Sequence, residues 1–106
     1  MTIGIKDDSA KPMVVQGFMR YFPNAIAEVA RVSEFGARKY AWGNWQFVDA
    51  GIERYTEALG RHLLATDLVD DESNLLHAAH TAWNAMARLE LILKEKNNDS
   101  LSTVNS

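Results

Sequence analysis

From residue 73 to residue 96 the chain reads SNLLHAAHTAWNAMARLELILKEK, and apolar residues recur through it at helical spacing. A periodic run this long is the strongest constraint in the sequence, because everything else must pack against one long helix. Two other stretches carry the same period. Over about 24–40, Ile26, Val29, Ala30, Gly36, Ala37 and Tyr40 share one side at 100° per residue, and Pro23 suits a first turn. Over about 50–66, Ile52, Tyr55, Ala58, Leu59 and Leu63 form a face that includes His62, with Asp49 placed to cap it. No strand signal and no internal repeat competes with this pattern. The expectation is an all-α fold, a small bundle of three long helices.

The flanks read differently. Residues 1–22 form an N-terminal arm, in which MVVQGFMRYF (13–22) lacks a clean period and reads as a short extended segment. Residues 23–96 make the helical domain, and the polar residues 97–106 read as a disordered tail. Asp71 or Ser73 is the expected cap of the third helix, and Glu72 suits the positive end of its dipole. Gly36 inside the first helix costs about 1 kcal/mol against alanine, which implies a close helix contact there.

Three helices in a chain of 106 residues enclose a thin core. Trp83, Met86 and Leu89 or Leu93 would leave apolar surface on a monomer, so a homodimer or higher homo-oligomer is expected. No apolar run is long enough to span a membrane, the first fifteen residues lack a signal-peptide pattern, and cysteine is absent. A cytoplasmic setting follows as an expectation. The net charge of −3 argues against a polymeric nucleic-acid partner, whose phosphates demand a basic surplus. A small anion remains open, provided local Arg and Lys or a metal ion supply positive charge.

The third helix also poses a question. On a wheel, Ser73, His77, His80 and Asn84 fall on one strip about 60° wide, at i, i+4, i+7 and i+11. Solvated helix faces carry long charged side chains, as this helix does later at Arg88, Lys94, Glu95 and Lys96. Short hydrogen-bonding groups between alanines and Trp83 point instead to a lined pocket, against the plainer reading of a solvated face. His62 alone reads as a core residue; with His77 and His80 it could complete a three-histidine zinc site. Arg54, Glu57 and Arg61 read as surface ion pairs or as a phosphate grip. Glu34 reads as an exposed partner of Arg38 or as a metal ligand. Trp42 and Trp45, around Gly43 and Asn44, form an aromatic plug or a platform for a base, with Asn44 supplying hydrogen bonds.

Three segments together, EFGARKYAWGNW (34–45), ERYTEALGRHLLA (53–65) and DDESNLLHAAHTAWNA (70–85), resemble a group of small phage-borne dATP/dGTP diphosphohydrolases. That group is similar in turn to the all-α nucleotide pyrophosphohydrolases of the MazG type. Its members tend to show G-A-x-K-Y and N-W, then R-Y-x-(D/E)-A-x-x-R-H, then D-x-E-S-G and H-x-x-H, in that order. The resemblance implies cleavage of a purine deoxynucleoside triphosphate between its α- and β-phosphates, releasing a monophosphate and pyrophosphate. It implies Mg²⁺ or Mn²⁺ held by carboxylates, here Glu34, Glu57, Asp71 and Glu72. It implies Glu34, Lys39, Glu57 and His77 as catalytic residues. Asn44, Trp45, Arg54, Arg61, His62, Ser73, His80 and Asn84 would then bind substrate.

The residue types suit that chemistry. Hard divalent ions take oxygen ligands, Lys39 and the two arginines match phosphate oxygens, and a carboxylate or His77 could take a proton from water. The chain departs from the MazG pattern in lacking paired acids, since Glu28 and Glu34 are six residues apart, and from the phage group in having Asn74 for glycine, a residue that still permits a left-handed turn. The alternatives are a non-catalytic helical module that binds a nucleotide or a host protein, and a histidine-based zinc or manganese phosphohydrolase using His62, His77 and His80.

Overall fold

A computed structural model describes residues 4–7 and 10–105, with side chains through Asp99. Three long helices make the fold: α1 over Pro23–Lys39, α2 over Gly51–Leu64 and α3 over His77–Asn105. Pro23 sits in the first turn of α1, where its missing N–H costs nothing. Among the described residues there is no strand, only an antiparallel bridge between Val69 and Leu76.

α3 is the element on which the other two pack. It runs antiparallel to α2: Gly51 meets Leu91, Tyr55 meets Trp83, and His62 meets His77. A Cβ on Gly51 would lie 2.8 Å from Leu91 Cδ1, so the start of α2 packs close on α3 and a side chain there would have to displace the end of Leu91. α1 crosses the other flank of α3, where Trp83 Nε1 donates to Ser33 Oγ at 2.8 Å and the rings of Phe35 and His80 meet edge to face.

Several boundaries differ from the sequence reading. Asp49 does not cap α2; the residue before the helix is Ala50, held left-handed at φ 52° with no side-chain cap. α3 begins at His77 and not at residue 71 or 73, because residues 70–76 close a tight loop first. In it Asp70 N–H donates to Leu75 C=O and Asn74 N–H to Asp70 C=O, both at 2.8 Å, while Asn74 turns left-handed at φ 62°. The stretch 97–105, read as a disordered tail, continues α3. No glycine or proline interrupts the chain after Ala78, so the helix, once nucleated, extends. The 13–22 stretch is not extended: Val15–Met19 forms a short π-helix whose residues are all exposed, and Phe18 packs on Phe22 beyond it. Residues 1–3, 8, 9 and 106 of the expected arm and tail lie outside the described residues.

The core is thin. Val32, Ala79 and Ala87 are its buried apolar residues, and the radius of gyration is 17.7 Å against about 13 Å for a compact domain of this length. Met86, Leu89 and Leu93 stand about half exposed along α3.

Ala50 offers a test of this backbone. A left-handed alanine is strained by its own Cβ, and glycine is not. Ala50→Gly should therefore stabilise the fold by about 0.5–1 kcal/mol, raising Tm by roughly 4 °C in thermal unfolding. An unchanged or lower Tm would contradict the left-handed start of α2.

Candidate functional site

α1 and α2 do not close over α3. Between them lies a cavity of about 620 Å³, within the range of small-molecule sites. α1 contributes Val32, Ser33, Phe35, Gly36, Ala37 and Lys39, the connection contributes Tyr40 to Trp45, α2 contributes Arg54, Tyr55, Ala58, Arg61 and His62, and α3 contributes His80, Trp83 and Asn84. The polar strip of α3 therefore faces inward. His80 and Asn84 are the buried polar residues of the structure, 7% and 5% exposed.

Each buried polar group has a partner. Asn84 Nδ2 donates to His80 C=O at 2.8 Å, which leaves its amide oxygen as the free acceptor on the cavity wall. His80 Nε2 lies 2.7 Å from Ser73 Oγ, which in turn accepts Leu75 N–H at 3.1 Å. Ser73 was placed on the wheel of the third helix; it lies in the preceding loop, yet the loop delivers it to the same histidine. The loop also presents Asp70, whose Oδ2 accepts Ser73 N–H at 2.9 Å and stands 3.8 Å from His80 Nε2. Burial raises the Asp70 carboxyl, but the hydrogen bonds from Ser73 and the neighbouring His80 and His62 outweigh it, so the group sits below the usual carboxylate value. Burial pushes both His80 and His62 below the usual imidazole value, against the pull of Asp70.

The three histidines converge where α2 ends and α3 begins. His62 stacks on His80 with centroids 4.4 Å apart and planes 10° from parallel, and its Nδ1 lies 2.8 Å from His77 Nδ1. One ring nitrogen each from His62 and His77 and a carboxylate oxygen of Asp70 lie within 4.8 Å of one another, a group able to hold a metal ion. The third member is Asp70 in place of the expected His80, which Ser73 engages instead. The sequence reading passed over Asp70 for its neighbours Asp71 and Glu72; the signal that could have found it is the left-handed Asn74 four residues on, which closes the loop back onto it.

The expected carboxylate cage does not assemble. Glu34 is exposed on α1, about 180° around the helix from the centre of the face that carries Val32 and Gly36. Glu57 and Asp71 are exposed and do not line the cavity. Glu72 does line it, but its carboxylate holds Lys39 Nζ at 2.6 Å across the mouth, a hydrogen bond that raises the lysine's pKa. An all-oxygen Mg²⁺ site of Glu34, Glu57, Asp71 and Glu72 does not fit this arrangement. His77 does not line the cavity either.

The aromatic and cationic groups do gather. Trp45, Tyr55 and Trp83 pack mutually edge to face with centroids 5.5–6.5 Å apart, and Tyr55 Oη donates to Trp45 C=O at 2.7 Å. Trp42, in contrast, is largely exposed at the rim, and Asn44 lines the cavity beside it. Lys39, Arg54 and Arg61 outnumber the two lining acids, Asp70 and Glu72, in a chain of net charge −3. Arg54 and Arg61 do not pair with Glu57: among the described residues the ion pairs of Arg and Lys are Arg31–Glu28 and Lys39–Glu72. Gly36 meets no close helix contact, since a Cβ there would find nothing within 4 Å; its missing side chain leaves cavity space.

The fold and site define an all-α protein with a locally cationic, aromatic-walled pocket. The chain belongs to the family of the dATP/dGTP diphosphohydrolase N-terminal region, whose model matches residues 4–101. It is also similar to a dATP/dGTP diphosphohydrolase of Salmonella phage PMBT28, with 43% identity over 67 residues. That alignment covers 60% of this chain and 22% of the relative's length, so the chain spans about a fifth of that protein. No solved structure matches.

Ser73 is the hinge of the site's hydrogen bonding. Ser73→Ala removes the Oγ that serves both Leu75 N–H and buried His80, and should destabilise the protein by about 1–3 kcal/mol in denaturant unfolding. A loss below a few tenths of a kcal/mol would mean that the loop does not depend on this contact.

Proposed function

We propose that this chain binds a purine deoxynucleoside triphosphate in the cavity and hydrolyses it to the monophosphate and pyrophosphate, acting on the nucleotide pool of the host cytoplasm. The observation that carries the reading is the cavity itself, with an aromatic cluster at one side and unpaired arginines at the other, in a member of this family. Trp45, Tyr55 and Trp83 offer flat surfaces to a base, and the amide oxygen of Asn84 offers it an acceptor. Arg54 and Arg61 grip the β- and γ-phosphates, and Lys39 joins them by exchanging Glu72 for a phosphate oxygen. His80 takes the role expected of His77 as proton acceptor for the attacking water, because it lines the cavity and burial pushes its imidazole below the usual value. Attack at the α-phosphorus then expels pyrophosphate, whose charge the three cations offset.

Incubation of the purified chain with each common dNTP and NTP and a divalent cation, with the products resolved, tests the reading. The expected products are monophosphate and pyrophosphate in equal amounts from dGTP or dATP. Arg54→Gln with Arg61→Gln should cut kcat/KM by at least about 100-fold, each arginine–phosphate contact contributing some 1.5–3 kcal/mol. Free phosphate or a nucleoside diphosphate as product would overturn the bond assignment. The dispersal of Glu34, Glu57 and Asp71 favours a second reading, a nucleotide-binding module without turnover, and saturable binding with no product would establish it.

A second copy of the chain covers the apolar strip of α3 in this reading, since Met86, Leu89 and Leu93 recur at i, i+3 and i+7 and stand half exposed. Light scattering should report a dimer or larger species for the native chain and a monomer for Leu89→Glu. A native monomer at micromolar concentration would remove the oligomer from the proposal.

A further inference from the structure

The disagreement between the expected carboxylate cage and the donors that do converge carries an inference of its own. We propose that His62, Asp70 and His77 form a binding site for a first-row transition-metal ion, open to the cavity, with Ser73 and His80 positioning its donors. The ion's role in turnover rests on the hydrolase reading above; its binding does not.

The donors come from three elements that the fold fixes independently: the last turn of α2, the 70–76 loop and the first residue of α3. Their ligating atoms already lie within 4.8 Å of one another. The two Nδ1 atoms, 2.8 Å apart, share a hydrogen bond in which one imidazole donates and the other accepts. Two nitrogens each bound at 2.0–2.1 Å to a tetrahedral ion would stand about 3.3 Å apart. An ion therefore replaces that bond by opening the pair about half an ångström, a displacement within reach of side-chain rotation. The surroundings restrict other movements. His62 is stacked on His80, and Asp70 is held by Ser73 N–H, whose own hydroxyl is tied to His80 and to Leu75 N–H. Such outer contacts orient metal ligands and set their affinity.

Donor chemistry selects the ion. Two imidazoles and one carboxylate suit Mn²⁺, Fe²⁺, Co²⁺, Ni²⁺ and Zn²⁺, whereas Mg²⁺ and Ca²⁺ take oxygen ligands. Three protein donors leave at least one coordination position unfilled. His62 and Asp70 both line the cavity, so a water or a phosphate oxygen of a bound nucleotide can reach that position.

The test uses the full chain, stripped with chelator and dialysed, with no nucleotide present. Calorimetric titration with Zn²⁺, Co²⁺, Mn²⁺ and Mg²⁺ should give one saturable site per chain for the transition ions and none for Mg²⁺ at millimolar concentration. Zn²⁺ should shift the imidazole nitrogen resonances of His62 and His77 in the wild-type protein, a measurement that needs no variant. His77→Ala and Asp70→Asn should each weaken Zn²⁺ binding at least 10-fold, with folding checked by circular dichroism. No saturable site in the folded wild-type chain, a site that prefers Mg²⁺, or binding that leaves both histidine signals unmoved would overturn the proposal. The two readings fail separately: a bound transition ion without nucleotide turnover leaves the metal site standing, and turnover with Mg²⁺ in a chain that binds no transition ion leaves only the hydrolase.

Discussion

The hydrogen bond between Ser73 and His80 joins the two halves of this structure. His80 is nearly buried in the face of α3 on which both other helices rest, and a polar ring there is tolerable only if its nitrogen is satisfied. Ser73 satisfies it from a loop that must first turn back on itself through Asn74. Once that loop is set, Asp70 arrives beside the histidines and Glu72 reaches Lys39 at the end of α1. This contact thus ties the loop that precedes α3 to the buried face of the helix, and with it the placing of Asp70 and Glu72 at the cavity. The same helix that supplies the scaffold supplies the floor of the site, so packing and chemistry are not separable here.

The helices were legible because their signal is redundant. Periodicity over α1, α2 and α3 is carried by many residues, and the errors are confined to ends. Asp49 lost the cap of α2 to a left-handed Ala50, which no propensity predicts, since close packing of Gly51 on α3 sets the entry of that helix. The inward strip of His80 and Asn84 was legible from composition, because a solvated face would not choose short polar groups among alanines. The metal donors were half legible. His62 and His77 stand out as histidines near apolar faces, but Asp70 is one of two adjacent aspartates, and which of them turns inward depends on the loop's hydrogen bonding and not on any helical period. Glu34 and Glu57 were drawn in by resemblance and residue type; the wheel set Glu34 at the edge of an apolar face and Glu57 beside one, and only the packing of α1 and α2 leaves both in solvent.

A thin core and an open cavity are two aspects of one arrangement. α1 and α2 each bury a stripe against α3 but little against each other, so the gap between them remains as ligand space and the apolar area removed from water stays small. Hydrophobic burial contributes about 25 cal/mol per Å², so a fold whose buried apolar residues, among those described, are Val32, Ala79 and Ala87 holds little stability in reserve. Anything that binds the folded form adds to that reserve by mass action, by about 2.7 kcal/mol at a hundred times its dissociation constant. A nucleotide between α1 and α2, an ion between α2 and α3, or a second copy against Met86 and Leu89 would each bridge surfaces the monomer leaves apart.

The charge distribution follows the same logic. A chain of net charge −3 repels a triphosphate at long range, so recognition must come from charges that stay close to the ligand. α2 carries Arg54 and Arg61 seven residues apart on one side, free of carboxylate partners, while the acid between them in sequence, Glu57, points away from the cavity. Lys39 is held in reserve by Glu72, whose carboxylate occupies the position an anionic ligand would take. Entry of a phosphate therefore exchanges one anion for another at the mouth, a step that costs little electrostatically and releases Glu72 beside the Asp70 loop. The cations of the cavity wall are either unpaired or paired with a group that an incoming anion would displace.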